Sequence, residues 1–302
     1  MDNKINYEEY TLLLGRGFAL NVYLPALLAI NCKKILLTSS VKKYINNDYI
    51  SQYVKWIDDE EIINNKFLKI IIALPPEKQY SLICDMSLWK NSNNLILEKP
   101  IADNYKKAQY LINILNKSKT KYSINYSFRY TKWFADIFKY IHKNQSKGDI
   151  YITWRFKGRH LNKKESTWKT DHLHGGGVIK YYGIHLIAIL SDIGYSDVTQ
   201  SNIFNHQKKK LTSWSSEFIS STKLPKLNLS IDSYANENRF CWQQLNDKII
   251  DIDTPFSLES SEYNGDNRIP STIKFLQEEY NELVNYKNMN VLELWCKIES
   301  MI

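Results

Sequence analysis

The sequence predicts an α/β protein: a doubly wound parallel sheet over residues 1–121, then an α+β domain with an open, largely antiparallel sheet over residues 122–302. Three observations predict it. Short apolar runs alternate with helix-spaced segments up to Asn125, as strands alternate with crossover helices in a parallel sheet. A glycine turn, Gly15-Arg16-Gly17, stands between the first apolar run and the first helical segment. Beyond Asn125 the texture changes to alternating runs separated by polar turns.

The totals bound the class. At 302 residues the chain can bury two cores, and 43% hydrophobic with 24% charged residues is ordinary for a globular protein. No apolar run approaches a membrane span, and the first, residues 11–14, is too short for a signal peptide, so a cytoplasmic protein without membrane contact is expected. Cys32, Cys84, Cys241 and Cys296 are far apart and share no ligand spacing, which fits reduced thiols. The net charge of +8 comes from scattered lysines among asparagines and isoleucines. The densest run, residues 208–210, reads as a solvated loop, and a nucleic-acid partner is not expected. A milder use of the charge is attraction of a phosphorylated cofactor or substrate.

Taken in order, residues 11–14 form a buried strand ending at Gly15, and residues 21–30 show helical spacing. Strand, glycine turn and helix are the context that gives Gly-x-Gly a meaning. Gly15 and Gly17 let the backbone approach a pyrophosphate, and the helix start, with Phe18 and Ala19, supplies N–H groups and a favourable dipole. Leu20 occupies the place of the usual third small residue, which predicts looser packing of helix on strand.

Residues 34–38 read as the second strand. Its end carries Ser39 and Ser40, then Lys42 and Lys43, rather than the carboxylate that holds a ribose 2′-hydroxyl. Small hydroxyls beside amines suit a 2′-phosphate, so NADP(H) is preferred over NAD(H); an ordinary polar loop is the alternative. Residues 53–57 predict a third strand, 58–64 a short acidic helix, and 67–74 a strand closed by Pro75-Pro76. Helical spacing follows over 76–89, a strand over 95–97, an amphipathic helix over 103–118 capped by Asp103, and a strand over 122–125.

The strand at 95–97 runs into Glu98-Lys99-Pro100. Proline disfavours the helical region for the residue before it, so Lys99 is held extended at a strand end, where open α/β sheets bind ligands. The Lys99–Pro100 bond can also be cis. A partly desolvated amine there loses some of its pKa and can trade protons. The plain alternative is a surface Glu-Lys pair before a turn.

In the second half, 130–145 predicts an aromatic-rich helix, 149–156 a strand, 178–190 a long apolar helix, 227–234 and 239–243 further strands, and 271–286 and 291–302 terminal helices. Arg155, Lys157 and Arg159 alternate and would share one strand face. They could receive a diphosphate or simply be solvated.

Taken together, Gly15-Arg16-Gly17 with Leu24-Pro25-Ala26-Leu27, Leu74-Pro75-Pro76, Glu98-Lys99-Pro100, Asn125 with Arg129, Trp168, and Gly175-Gly176-Gly177 through Gly183-Ile184-His185 resemble, in order and spacing, the Gfo/Idh/MocA oxidoreductases. The resemblance spans roughly residues 10–195. It implies a Rossmann domain, an NAD or NADP cofactor, a sugar, cyclitol or nucleotide-sugar substrate, and a homodimer or homotetramer built through the open sheet. Cofactor contacts would come from Gly15, Gly17, Phe18, Ala19, Ser39, Ser40, Leu74, Pro75, Glu98, Lys99 and Asn125. Lys99 and His185 fall on the family's active-site lysine and histidine. Substrate contacts would come from Lys99, Arg129, Arg155, Trp168, His172, Tyr181 and His185. The sequence departs from the pattern at Leu20, at Gln79 in place of a histidine, in a helix-poor connection between the second and third strands, and at Tyr181 in place of an aspartate.

Positions 181 and 185 are one α-helical turn apart and so would share a face. A phenol is protonated at neutral pH and can deliver a proton, which suits reduction of a ketosugar with Lys99, Tyr181 and His185 as the catalytic set. Tyr181 and His185 could equally be core residues. His172, His174 and His185 lack a clear carboxylate or fourth ligand, and no metal is expected. A non-catalytic relative that senses a dinucleotide or sugar is the rival reading.

Overall fold

The computed structural model describes residues 5–45, 50, 52–92, 94–118, 120–145, 147–161, 167–204, 210–259, 265–278 and 282–302. Six four-residue strands build the first sheet: β1 (Thr11–Leu14), β2 (Ile35–Thr38), β3 (Val54–Ile57), β4 (Lys69–Ile72), β5 (Asn94–Leu97) and β6 (Lys121–Ile124). The order is β3-β2-β1-β4-β5-β6 and every pairing is parallel. Strands buried on both faces explain why β1, β2, β4 and β5 read as unbroken apolar runs rather than alternating ones. The order reverses between β1 and β4, so the strand ends carrying Gly15 and Ala73 flank the crevice where such sheets bind ligands.

The helices of this half are α1 (Leu24–Ala29), α2 (Asp59–Asn64), α3 (Pro76–Cys84) and α4 (Tyr105–Ser118). A capping box between Asp58 and Glu61 starts α2. The cap of α4 is Asn104, whose side chain accepts from the Lys107 N–H at 3.0 Å; the expected cap, Asp103, instead binds the Lys107 ammonium at 2.8 Å. Between β2 and β3 lies a 3₁₀ segment, Ser39–Tyr44; residues 46–49 and 51 of the connection expected to be helix-poor lie outside the described residues.

The second sheet contains β7 (Ile150–Lys157), β8 (Asp197–Phe204), β9 (Ser213–Ile219), β10 (Leu227–Asp232), β11 (Tyr234–Gln244) and β12 (Asp247–Ile252). Its order is β12-β11-β7-β10-β9-β8, with β7 and β10 parallel and the other pairings antiparallel. One face buries Trp154, Trp214, Phe218, Phe240 and Trp242. Helices α5 (Lys132–Lys143) and α6 (Ile184–Ile193) belong to the same core, with Trp133, Ile137 and Ile141 from α5. Helix α6 is apolar nearly all round because neighbours cover it on nearly every side.

The two halves interlock. Strand β6 carries the first sheet past the expected boundary at residue 121. Helix α7 (Ile269–Gln277) returns to the first half, where Ile269, Phe275 and Leu276 join the cluster of Leu24 and Leu27. Helix α8 (Glu282–Ser300) lies against α4 and α6. Lys208 and Lys209 lie outside the described residues. Among the described residues no helix is long and apolar enough to cross a membrane.

Candidate active site

The glycine turn is built by close approach. Gly15 has φ +125°, and a Cβ there would stand 2.2 Å from the Ala73 carbonyl oxygen of the neighbouring strand end. Gly17 faces open space. The helix after the turn opens with a π-type segment, Ala19–Tyr23, whose Ala19 carbonyl accepts from the Leu24 N–H. The wider turn brings Ala19 inward: it is fully buried, and its Cβ is 3.3 Å from where a Gly15 side chain would begin. Leu20 is half-buried at the edge of that core. The expectation of loose packing from Leu20 is therefore corrected, because Ala19 supplies the small residue one position early.

The rim beyond β2 is cationic and aromatic. Arg16 donates to the Tyr44 hydroxyl at 2.8 Å and lies 4.2 Å over its ring. The Lys43 ammonium is 5.3 Å from the same ring, and Lys42 is 5.7 Å from that of Trp56. The Ser40 and Thr38 hydroxyls are 2.9 Å apart, and Ser39 donates to the Ile57 carbonyl at 3.4 Å.

At the end of β5, Glu98 is buried, and its Oε1 is hydrogen-bonded. Its carboxylate accepts from the Tyr23 hydroxyl at 2.7 Å and from the Asn125 amide at 3.2 Å. Gln79, wholly buried, clamps the backbone: it accepts from the Glu98 N–H at 3.0 Å and donates to the Glu98 and Ile101 carbonyls at 2.8 and 3.2 Å. The Lys99–Pro100 bond is cis. The Lys99 ammonium donates to the main-chain carbonyl of Tyr181 at 2.6 Å and lies 4.6 Å from the centre of the Tyr181 ring. Protein crowds Lys99 on most sides while some of its surface still meets solvent. Burial pushes the amine well below its ordinary value; Glu98 opposes this, and the charges of Arg268 and Lys169 add to it. Burial pushes the Glu98 carboxyl up, against the pull of Lys99 and the Tyr23 bond.

Tyr181 lies in a second π-type segment, Val178–Gly183. The loop before it is drawn tight at Gly176, where a Cβ would collide with the Trp168 carbonyl oxygen. Trp168 meets the Tyr181 ring edge-on at 5.5 Å. Tyr181 stands in this π-type segment and His185 in α6. The Tyr181 hydroxyl is instead 3.4 Å from His160 Nε2, and burial pushes the phenol up to about 12. His185 stacks on Phe128 at 4.8 Å, and its Nδ1 has no hydrogen-bond partner among the described residues. Burial, with the charges of Lys99 and Arg268, holds its imidazole neutral.

The structure thus brings Lys99, Glu98, Asn125, Trp168 and Tyr181 together and leaves other expected contacts apart. Arg129 forms a buried ion pair with Asp192 at 2.7 Å and donates to Asn288 at 3.2 Å. Arg155 pairs with Glu237 at 2.7 Å on the open face of the second sheet, opposite the face that carries Trp154. His172 sits 3.8 Å from Glu299. Leu74 packs at the edge of the core, and Pro75 precedes α3. Sequence reasoning missed Tyr23, His160, Lys169 and Arg268. None has a local signature; each reaches the site only through the tertiary fold. Among the described residues no group of three or more His, Cys, Asp or Glu could hold a metal ion.

No family model matches the sequence, and no curated protein matches it. Solved structures do. One is the super-repressor mutant of Gal80p from Saccharomyces cerevisiae, 13% identical, with TM-score 0.73 over 97% of this chain and 94% of that one. Another is an oxidoreductase from Thermotoga maritima, 18% identical, with TM-score 0.69 over 96% and 94%. A third is the WlbA dehydrogenase from Thermus thermophilus in complex with NAD and UDP-GlcNAcA, 13% identical, with TM-score 0.68 over 95% and 92%. The chain shares the fold of these structures. What it shares with these Gfo/Idh/MocA-type structures is the whole two-part architecture, since the matched regions run through both sheets.

Proposed function

We propose that the protein is a nicotinamide-dinucleotide-dependent oxidoreductase acting on a carbonyl or hydroxyl of a sugar or nucleotide-linked sugar. The observation that carries this reading is Lys99: an amine with a depressed pKa, at a parallel-strand end beside a glycine turn, aimed at Tyr181. A dinucleotide fits the residues present. Gly17 leaves open space where a side chain would block a pyrophosphate, and the amides of Phe18 and Ala19 begin the following helix. Ser39 and Ser40, with Arg16, Lys42 and Lys43 nearby, favour NADP(H) over NAD(H). The WlbA neighbour was crystallised with NAD, which supports the cofactor class.

When bound, a reduced nicotinamide supplies hydride to the carbonyl carbon. The chain's own part is the proton at the carbonyl oxygen. Two groups could give it. Burial makes the Tyr181 phenol a weaker acid and the Lys99 ammonium a stronger one. Matching donor strength to neutral pH therefore favours Lys99 as the proton donor, with Tyr181 as a hydrogen-bond donor that orients the oxygen. Neutral His185 can bind a neighbouring hydroxyl. We lean to ketosugar reduction on this ordering.

Absorbance of the reduced nicotinamide, followed with NADPH and NADH against a panel of keto- and nucleotide sugars, tests the reading. Turnover that disappears in Lys99→Ala while dinucleotide binding persists supports it. A sensing, regulatory reading is favoured by two observations, the likeness to a Gal80p super-repressor and the Lys99 ammonium engaged by a main-chain carbonyl. Dinucleotide binding without turnover on the panel would favour that reading instead. A homodimer or homotetramer through the polar open face of the second sheet, around Tyr151, Thr153, Gln200 and Asn202, is the assembly we expect by sedimentation. The four free cysteines fit a cytoplasmic, reducing setting.

A further inference from the structure

We propose that Lys180 is a positioning residue for Lys99: it holds the main-chain carbonyl of Tyr181 on the Lys99 ammonium by tying the segment Val178–Gly183 to Asp103 of the first half and to Glu299 of α8. This rests on the reading of Lys99 as the proton donor and names a residue that acts through it. Two lysines lace the π-type segment to the chain that follows β5, in opposite senses. Lys99 of the first half donates to the Tyr181 carbonyl of the second at 2.6 Å. Lys180 of the second half donates to the Asp103 carbonyl of the first at 2.9 Å. Each crossing bond sets a lysine ammonium on a main-chain carbonyl, and the two bonds meet the segment one residue apart.

The Lys180 side chain is only 5% exposed. A buried ammonium is tolerated when its protons find acceptors. Besides the Asp103 carbonyl, Lys180 donates to the His172 carbonyl at 2.9 Å and lies 3.2 Å from Glu299 Oε1. Three oxygens from three parts of the chain therefore fix one ammonium in direction as well as in place. The Asp103 carboxylate takes no part, being bound to Lys107. The ends of the segment are anchored inside the second half. The Val178 N–H donates to the Leu211 carbonyl at 3.0 Å, and a Cβ on Gly183 would stand 2.7 Å from the Trp214 ring. Neither anchor reaches the first half; Lys180 does, one residue before the carbonyl that Lys99 uses. The charges acting on Lys99 are those of Glu98, Arg268 and Lys169, and Lys99 in turn acts on His185. A carbonyl held on an ammonium favours its charged form and so opposes the effect of burial. By fixing that carbonyl, Lys180 tunes how readily Lys99 releases its proton.

The test reads Lys99 directly and needs neither substrate nor turnover. Part of the Lys99 surface meets solvent, so a small reagent reaches it. The full chain is trace-labelled with acetic anhydride over a range of pH, and acetylation of Lys99 is followed by peptide mass spectrometry. In the native protein its midpoint should lie below that of the exposed lysines. In Lys180→Met the midpoint should fall further, by about one pH unit, the worth of one hydrogen bond to a charged group. Lys180→Gln is equally uncharged, but its amide can keep part of the lacing, so the fall should be smaller. It carries the comparison if Lys180→Met does not fold, which melting curves decide. A midpoint that is unchanged in every variant that folds overturns the proposal, because Lys99 would then hold its carbonyl unaided. A midpoint that rises also overturns it, because the charge of Lys180 would then be felt at Lys99, or the site would have opened to water. A native midpoint at the ordinary lysine value would sink the proton-donor reading itself, a failure distinct from these. Absence of turnover on the sugar panel would leave the labelling result standing.

Discussion

The ammonium of Lys99 lies 2.6 Å from the main-chain carbonyl oxygen of Tyr181, 82 positions further along the chain. The bond joins the last residue before the cis proline to the π-type segment of the second half. It is made to backbone, so it survives any substitution of the Tyr181 side chain. Lys99→Met and Tyr181→Phe should therefore behave differently. Loss of the amine removes both the proposed proton donor and the bond between halves, and turnover should fall by about 10²–10⁴-fold. Tyr181→Phe should keep Lys99 in place and cost about tenfold, the value of one hydrogen bond in the transition state. Single-turnover rates of nicotinamide oxidation would check the ranking; a larger loss in Tyr181→Phe would return the proton to the phenol.

Ala19 rather than Leu20 sets how closely the first helix packs on the strand. Ala19→Val would add two methyl groups to a fully buried side chain whose Cβ stands 3.3 Å from where a Gly15 side chain would begin. Overpacking of that kind costs about 1–3 kcal/mol and should weaken dinucleotide binding by displacing the turn. Leu20→Ala removes a half-buried side chain and should cost about 1 kcal/mol with binding kept. Urea denaturation and a fluorescence titration with NADH would separate the two. Equal effects would mean that the π turn does not govern the packing.

These comparisons show where the sequence was legible. The parallel strands were legible as apolar runs within residues 67–74 and 95–97, whose burial on both faces leaves no alternation to misread. Lys99 was legible because proline constrains its neighbour locally. The surroundings of Tyr181 and His185 were not, because His160 at the Tyr181 hydroxyl and Phe128 under His185 reach them only through the tertiary fold. The Asp103 cap failed by one residue for a related reason: Asp and Asn are interchangeable as caps, and the choice fell to Lys107, which binds Asp103 through its ammonium and Asn104 through its N–H. Arg268 and Lys169 were invisible because nothing near them in sequence distinguishes them from the solvated cations around them.

His172 should make the protein sensitive to mild acid. Burial, with the charge of Lys180, pulls its imidazole from the ordinary 6.5 down to about 4, while Asp171 opposes the shift. Between these values the unfolded chain holds the proton and the native chain does not. Stability therefore rises with pH across that window and is lost as pH falls, by up to about 1.4 kcal/mol per pH unit for this group. Glu299, 3.8 Å from Nε2, and Lys180, 3.2 Å from Glu299, complete its charged surroundings. His172→Gln should flatten the dependence between pH 4 and 6.5 relative to the native protein, read from urea midpoints. An unchanged slope would mean that His172 is reached by water and titrates normally.

Gln79 should prove the side chain on which the Glu98-Lys99-Pro100 turn depends. It is wholly buried and satisfies three backbone groups at once, one N–H and two carbonyls. In Gln79→Leu the Glu98 and Ile101 carbonyls lose this partner in a dry interior while the Glu98 N–H keeps its bond to the Ile72 carbonyl at 3.2 Å, which should cost about 2–4 kcal/mol and loosen Lys99. A histidine, the residue expected here from the resemblance, has in its neutral form one donor and one acceptor. It could serve the Glu98 N–H or bind a carbonyl, but could not span both carbonyls as the amide does. Gln79→His should therefore recover only part of the stability lost in Gln79→Leu, in urea denaturation at neutral pH. Full recovery would show that the second carbonyl bond, to Ile101 at 3.2 Å, contributes little.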